Sequence, residues 1–105
     1  MWAKPTKRDL QRMPKPYSTE SVKLADKIIV GHFFVGSCDW YIAEYDPETE
    51  IFFGYANLGN DDMSEWGYFS FEELKQLKVG GFAEVDFDKH WTKVKASELD
   101  KIIIR

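Results

Sequence analysis

The sequence predicts an α+β fold: an antiparallel β-sheet of about four or five strands with one or two short helices packed on it. Three observations predict it. Runs rich in β-branched and aromatic residues recur along the chain. They follow one another through short turns rather than through helical crossovers, which excludes a βαβ plan. Helical signals are few and brief, the strongest being Ser70-Phe71-Glu72-Glu73.

Asp26 to Val35 reads as a first strand, because Ile28, Ile29, Val30, Phe33 and Phe34 suit a pleated surface and Gly36-Ser37 ends it with turn chemistry. Trp40 to Tyr45 reads as a second. Asp46-Pro47-Glu48-Thr49 then makes a turn, since an aspartate accepts from a backbone amide just downstream and proline presets φ at the next position. Ile51 to Leu58 returns as the third strand of a hairpin, with Gly54 marking a bulge or a close approach. Gly59 to Asp62 is a loop, and Glu65 to Phe69 is a fourth strand. Ser70 caps a helix running to about Leu77, with Glu73 reaching back as the other half of a capping box. Phe71, Leu74 and Leu77 give that helix a buried stripe, and Gly80-Gly81 closes it. Phe82 to Phe87 alternates as a half-exposed strand. Ser97 caps a last turn before Ile102-Ile103-Ile104, which is either a tail strand or an apolar anchor.

The chain of 105 residues is long enough for one core and too short for two. Residues 1–16 read as a basic N-terminal arm or short helix, and 17–105 as a single domain. In the arm, Thr6 caps a helix through Met13, and Leu10 and Met13 share a face. Pro14 and Pro16 stop it and favour an extended path into Tyr17.

The net charge of −4 is unevenly spread. Residues 1–16 hold five cations against Asp9 alone, whereas residues 39–75 hold ten carboxylates against Lys75 alone. So acidic a middle repels phosphate backbones and attracts a basic surface. The longest apolar runs, such as Ile28-Ile29-Val30 and Ile102-Ile103-Ile104, fall far below the ~20 residues needed to span a bilayer, so no membrane segment and no leader peptide are expected. Cys38 is the only cysteine; it excludes an internal disulfide and a thiolate zinc cage, and fits a reducing cytoplasm. Asp39 and Glu44 near it disfavour a reactive thiolate.

Three segments carry a family resemblance: Trp40-Tyr41-x-x-Glu44-Tyr45-Asp46-Pro47, Phe52-Phe53-Gly54-Tyr55 and Glu65-Trp66-Gly67-Tyr68-Phe69-Ser70-x-x-Glu73-Leu74. By these the chain, from about Lys15 to Trp91, resembles a small bacterial, phage and plasmid family catalogued as domain of unknown function 2958. The resemblance implies no catalytic residues. What it implies is context, that of accessory products of mobile elements, often beside genes that protect those elements.

No nucleophile elbow, metal-binding helix or calcium loop is present, so neither enzyme activity, a cofactor nor a metal is expected. Glu44 and Asp46 would share a strand face, and so would Asp86, Asp88 and His90, but both sets are common on wet surfaces. His32 lies in an apolar strand and reads as core edge. Consecutive aromatics must point to opposite sheet faces; one face is core and the other is either covered or partly exposed. The leading expectation is a protein partner with a basic surface, met by an acidic, aromatic-rich face of Glu44, Asp46, Asp61, Asp62, Glu65, Trp66, Tyr68 and Trp40. Such a partner would be a nucleic-acid-binding protein of host defence. The alternative is nucleic acid held by Lys4, Lys7, Arg8, Arg12 and Lys15. A third reading is a small metal-dependent hydrolase using Glu44, Asp46, Asp86 and His90.

Overall fold

The computed structural model describes residues 1–103. Along the chain come α1 (Lys7–Gln11), β1 (Ile28–Ile29), β2 (Gly31–Val35), β3 (Cys38–Asp46), β4 (Ile51–Leu58) and β5 (Glu65–Ser70), then α2 (Phe71–Gln76). After these come β6 (Lys78–Val79), β7 (Ala83–Glu84), β8 (Asp86–Phe87) and β9 (Val94–Lys95). Short 3-10 turns lie at Leu24–Asp26, Asp61–Met63 and Ala96–Glu98. The main sheet is antiparallel in the order β5-β4-β3-β2-β8, and β1-β9 and β6-β7 are separate two-stranded ribbons. This is the α+β plan that the sequence predicts.

The β3-β4 hairpin turns where expected. Asp46 Oδ1 accepts from the Glu48 backbone N–H at 2.9 Å, and Glu50 takes a left-handed φ of 58° to close the turn. Gly54 sits opposite a bulge in β3, where Ile42 pairs with Gly54 and Glu44 with Phe53, leaving Ala43 as the extra residue. The bulge decides which way two side chains point. Before it, Trp40 and Ile42 face the larger core; after it, Tyr45 faces that core again and Glu44 is turned to the opposite face with Phe53. Strict alternation would have reversed Glu44 and Tyr45, driving a carboxylate into a cluster of phenylalanines.

Both faces of the sheet are covered. On one, Phe33, Trp40, Ile42, Tyr45 and Phe52 pack with Phe71 and Leu74 of α2 and with Met13 beyond α1. On the other, Tyr41, Tyr55 and Ile29 pack with Ala96 and Ile102 near the C-terminal end.

Several local expectations are corrected. The first strand is divided at Val30: Ile28 and Ile29 leave to pair with Lys95 and Val94, while Gly31–Val35 stays in the main sheet. Residues 82–87 divide likewise at the buried Val85, with Ala83–Glu84 on β6 and Asp86–Phe87 on β2. Helix α2 ends before Leu77, whose extended backbone stops it and leaves its side chain exposed; Gly80 and Gly81 instead turn the β6-β7 ribbon. Ser70 Oγ does accept from Glu73 N–H, but the reciprocal capping pair forms at the other helix, between Thr6 and Asp9. Ser97 lies inside its 3-10 turn, with Lys95 at the cap position. Tyr17 is left-handed, with φ at 64°, rather than extended. Ile102 is a buried anchor, and Ile104 lies outside the described residues.

The N-terminal segment is laid along the sheet. Ala3 O accepts from Phe87 N–H, Pro14 O accepts from Tyr45 N–H, and the Met1 ammonium pairs with Glu84. Among the described residues no helix is long and apolar enough to cross a membrane.

The backbone approach at Gly54 yields a sharp test. A Cβ there would collide with the Tyr41 carbonyl, whereas one on Gly67 meets nothing within 4 Å. Gly54→Ala is therefore expected to destabilise by about 3 kcal/mol in chemical denaturation, and Gly67→Ala to stay within about 0.5 kcal/mol of wild type.

Candidate functional site

The acidic, aromatic face expected from sequence does not survive as one surface. Trp40 is buried among Phe33, Ile42 and their neighbours. Glu44, turned by the bulge, is 5% exposed. Its carboxylate accepts from the backbone N–H groups of Tyr17 (2.9 Å) and Thr19 (3.2 Å) and from the Thr19 hydroxyl. Lys27, equally buried, donates from Nζ to Thr19 O at 2.6 Å and Oγ1 at 2.8 Å. Glu44 is thus the organising acceptor of the 17–27 loop and is not available to a partner. Asp46 is committed to its turn: the Glu48 backbone N–H first, then the Thr49 hydroxyl, hold its carboxyl below the usual range.

Asp61, Asp62 and Glu65 remain exposed at the start of β5, and Trp66 is half-buried against Tyr55 at 5.4 Å between ring centroids. Tyr68 is 65% exposed. Its ring lies 5.1 Å from Phe53, which in turn stacks 6.0 Å from Trp66. Facing Tyr68 across a groove of about 350 Å³ is Tyr17, also 65% exposed, with Glu20 and Lys27 in the walls. The Tyr68 hydroxyl is pushed above its ordinary pKa by desolvation first, then by Tyr17 and the Glu44 and Glu20 carboxylates. Tyr17 and Glu20 were invisible as site residues because a left-handed turn far away in sequence brings them here.

Strand β5 pairs with β4 on one side only; among the described residues nothing pairs with its other edge. Edge strands are normally blunted by lysine, proline or a bulge. Glu65-Trp66-Gly67-Tyr68-Phe69-Ser70 has none of these, and its register with β4 is unbroken.

The family model described as protein of unknown function (DUF2958) matches residues 6–99. The chain belongs to this family. No match was found among curated proteins or among solved structures. In this DUF2958 chain the Glu-Trp-Gly-Tyr-Phe-Ser segment that carried the resemblance is the whole of β5, the free edge.

The candidate acid–base sets are dispersed. Asp86 Oδ1 accepts from the Trp2 and Ala3 backbone N–H groups at 2.8 and 2.9 Å, Asp88 Oδ1 accepts from His90 N–H, and the His90 side chain is exposed. Glu44, on β3, is occupied by the 17–27 loop, so the four hydrolase candidates are not brought together. Among the described residues no group of three or more His, Cys, Asp or Glu is placed to hold a metal ion. The structure instead gathers a set that sequence reasoning missed. His32 Nε2 lies 2.7 Å from Asp39 Oδ1 and Nδ1 3.4 Å from Asp88 Oδ2, with the ring stacked 4.9 Å from Tyr41 and tilted against Trp91 at 5.0 Å. Lys101 pairs with the other Asp39 oxygen. Burial first, and Asp39 second, push the Tyr41 phenol up to about 12, so it stays neutral at ordinary pH. Both ring nitrogens of His32 face carboxylates, which makes this set a clamp joining β2, β3 and the C-terminal segment. Cys38, free and half-buried, begins β3.

Removing the Glu44 carboxylate strands three donors and frees Thr19, which holds the buried Lys27 ammonium. Glu44→Ala should therefore cost about 3 kcal/mol in urea unfolding. Glu65→Gln, at an exposed strand end, should change stability by less than about 0.5 kcal/mol.

Proposed function

We propose that this chain is a non-enzymatic interaction protein whose docking surface is the outer edge of β5 with the adjoining Tyr17–Tyr68 groove. The observation that supports it is the unpaired six-residue edge, which offers backbone donors and acceptors in strand register beside two largely exposed tyrosines. A partner adding a strand there gains main-chain hydrogen bonds for affinity and side-chain contacts at alternate positions for specificity. Tyr68 and Trp66 stand on one face of that strand, and Tyr is a residue that anchors interfaces.

Charge selects the partner. Glu65, Asp61, Asp62 and Glu20 are exposed around the edge, and β5 itself has no cation. The occupant is therefore an extended protein segment carrying lysine or arginine at alternate positions. Basic segments of this kind line the phosphate-binding sites of nucleic-acid enzymes. An accessory protein of a mobile element that covers such a site would restrain a host-defence enzyme, and the acidic loop beside β5 supports that reading over a neutral partner.

Selection from a display library of random peptides tests it. The wild-type protein should enrich extended sequences in which basic and apolar residues alternate, and Tyr68→Lys, a substitution at an exposed position, should lower their binding at least tenfold without lowering Tm. Enrichment of acidic or helical peptides, or unchanged binding by Tyr68→Lys, would count against the proposal.

A further inference from the structure

A second surface lies around α1 and does not depend on the β5 reading. The first 15 residues place Lys4, Lys7, Arg8, Arg12 and Lys15 in solvent, and none of these forms a close ion pair among the described residues, although the Lys15 charge is felt by Asp46. The carboxylates nearby are turned to other work. Asp9 accepts from Thr6 N–H to cap α1, Glu84 takes the Met1 ammonium, and Asp86 takes the Trp2 and Ala3 amides. Two grooves flank α1 and extend its charge. One, of about 480 Å³, is lined by Lys4, Lys7 and Lys75 (the last paired with Glu72) and by Glu50 over Tyr45 and Phe71; the other, of about 160 Å³, holds Arg12, Lys89 and Lys93 beside Asp9 and Asp88. In a protein of net charge −4, a face with this many unpaired cations is a place where a polyanion binds.

The second observation is Trp2. Its backbone N–H is fixed by Asp86 and the next residue's carbonyl is bound to Phe87 N–H, yet its indole is 87% exposed. The backbone is therefore pinned to β8 while a large aromatic surface stands bare, two residues from Lys4. Cations that track a phosphate chain, joined to an aromatic on which a base stacks, are the working parts of a single-strand nucleic-acid site. A membrane surface fits less well. The outward side chains of α1 are Lys7, Arg8, Gln11 and Arg12, while Leu10 and Met13 face the core, so no amphipathic apolar stripe is left to insert.

We propose that the α1 face binds single-stranded nucleic acid, with phosphates held by Lys7, Arg8, Arg12 and the groove lysines and one base stacked on Trp2. Trp2 lies beside β8, four strand spacings, about 19 Å, from β5, and the Lys4–Lys7 groove lies by the β3-β4 turn, where β4 pairs with the end of β5 away from Glu65. A polyanion on α1 thereby avoids Asp61, Asp62 and Glu65.

Fluorescence anisotropy of the full chain with a labelled oligo-deoxythymidine tests this, beside the same strand in a duplex and beside phosphatidylserine vesicles as competitor. With about four phosphates neutralised, affinity should fall about sevenfold for each doubling of salt. Trp2→Ala should weaken binding about tenfold, and the combined Lys7→Gln, Arg8→Gln, Arg12→Gln variant by more, with Tm preserved because all four side chains are exposed. Single strand should bind tighter than duplex, and vesicles should not compete. Wild-type affinity in either variant, absence of saturable binding, equal affinity for duplex, or displacement by vesicles would each overturn the proposal.

Discussion

Strand β3 is buried on both faces along its whole interior, from Asp39 to Tyr45, and the rest of the chain is arranged to make that possible. An antiparallel strand usually keeps one face in water. Here the two buried carboxylates of β3, Asp39 and Glu44, point to the same face toward opposite ends, and burying either without partners would cost several kcal/mol. Asp39 is met by His32 and by Lys101 from the C-terminal segment; Glu44 is met by Tyr17 and Thr19 from the N-terminal loop. Each end of the chain is thus drawn across the sheet to satisfy one buried acid. The opposite face is closed by α2 and by Met13, where apolar contact suffices.

This explains which parts were legible in the sequence. The β3-β4 hairpin, β5 and the start of α2 were read because local chemistry specifies them: Asp46-Pro47 for the turn, β-branched and aromatic runs for the strands, Ser70 for the cap. The boundaries that failed are those decided by distant partners. Nothing local at Val30 or Val85 says that one continuous strand signal will divide between two sheets. Glu44 was misread for the same reason. Alternation placed it with Asp46 on a wet face, and its burial depends on a loop that begins at Tyr17, a non-glycine residue in the left-handed region. The bulge at Ala43 was half visible, through Gly54, but its position in the partner strand was not.

With Glu44, Asp46 and Trp40 withdrawn into structure, the predicted acidic and aromatic groups that stay accessible lie at the β5 edge, and the exposed cations of the N-terminal segment lie around α1. Of the three segments that carry the resemblance, two lie in the buried strands β3 and β4, while Glu65–Ser70 is the free edge, where Glu65 and Tyr68 are exposed and no residue is fully buried. A segment that is neither core nor charged against pairing exposes apolar surface and unsatisfied backbone together. Such an edge is an aggregation hazard unless something covers it. On this account the covering element is the protein partner, and the nucleic-acid face at α1 would bring that partner and a single strand within one small scaffold.

The free edge of β5 is the point on which this account turns, and amide hydrogen exchange resolved residue by residue along Glu65–Ser70 measures it directly. In an antiparallel edge strand alternate amides point to the neighbour and to solvent. The isolated protein should show protected and fast-exchanging amides in strict alternation along β5, while the β3 amides are protected throughout. Uniform protection along β5 would contradict the account, because the edge would already be filled within the protein or by a second copy.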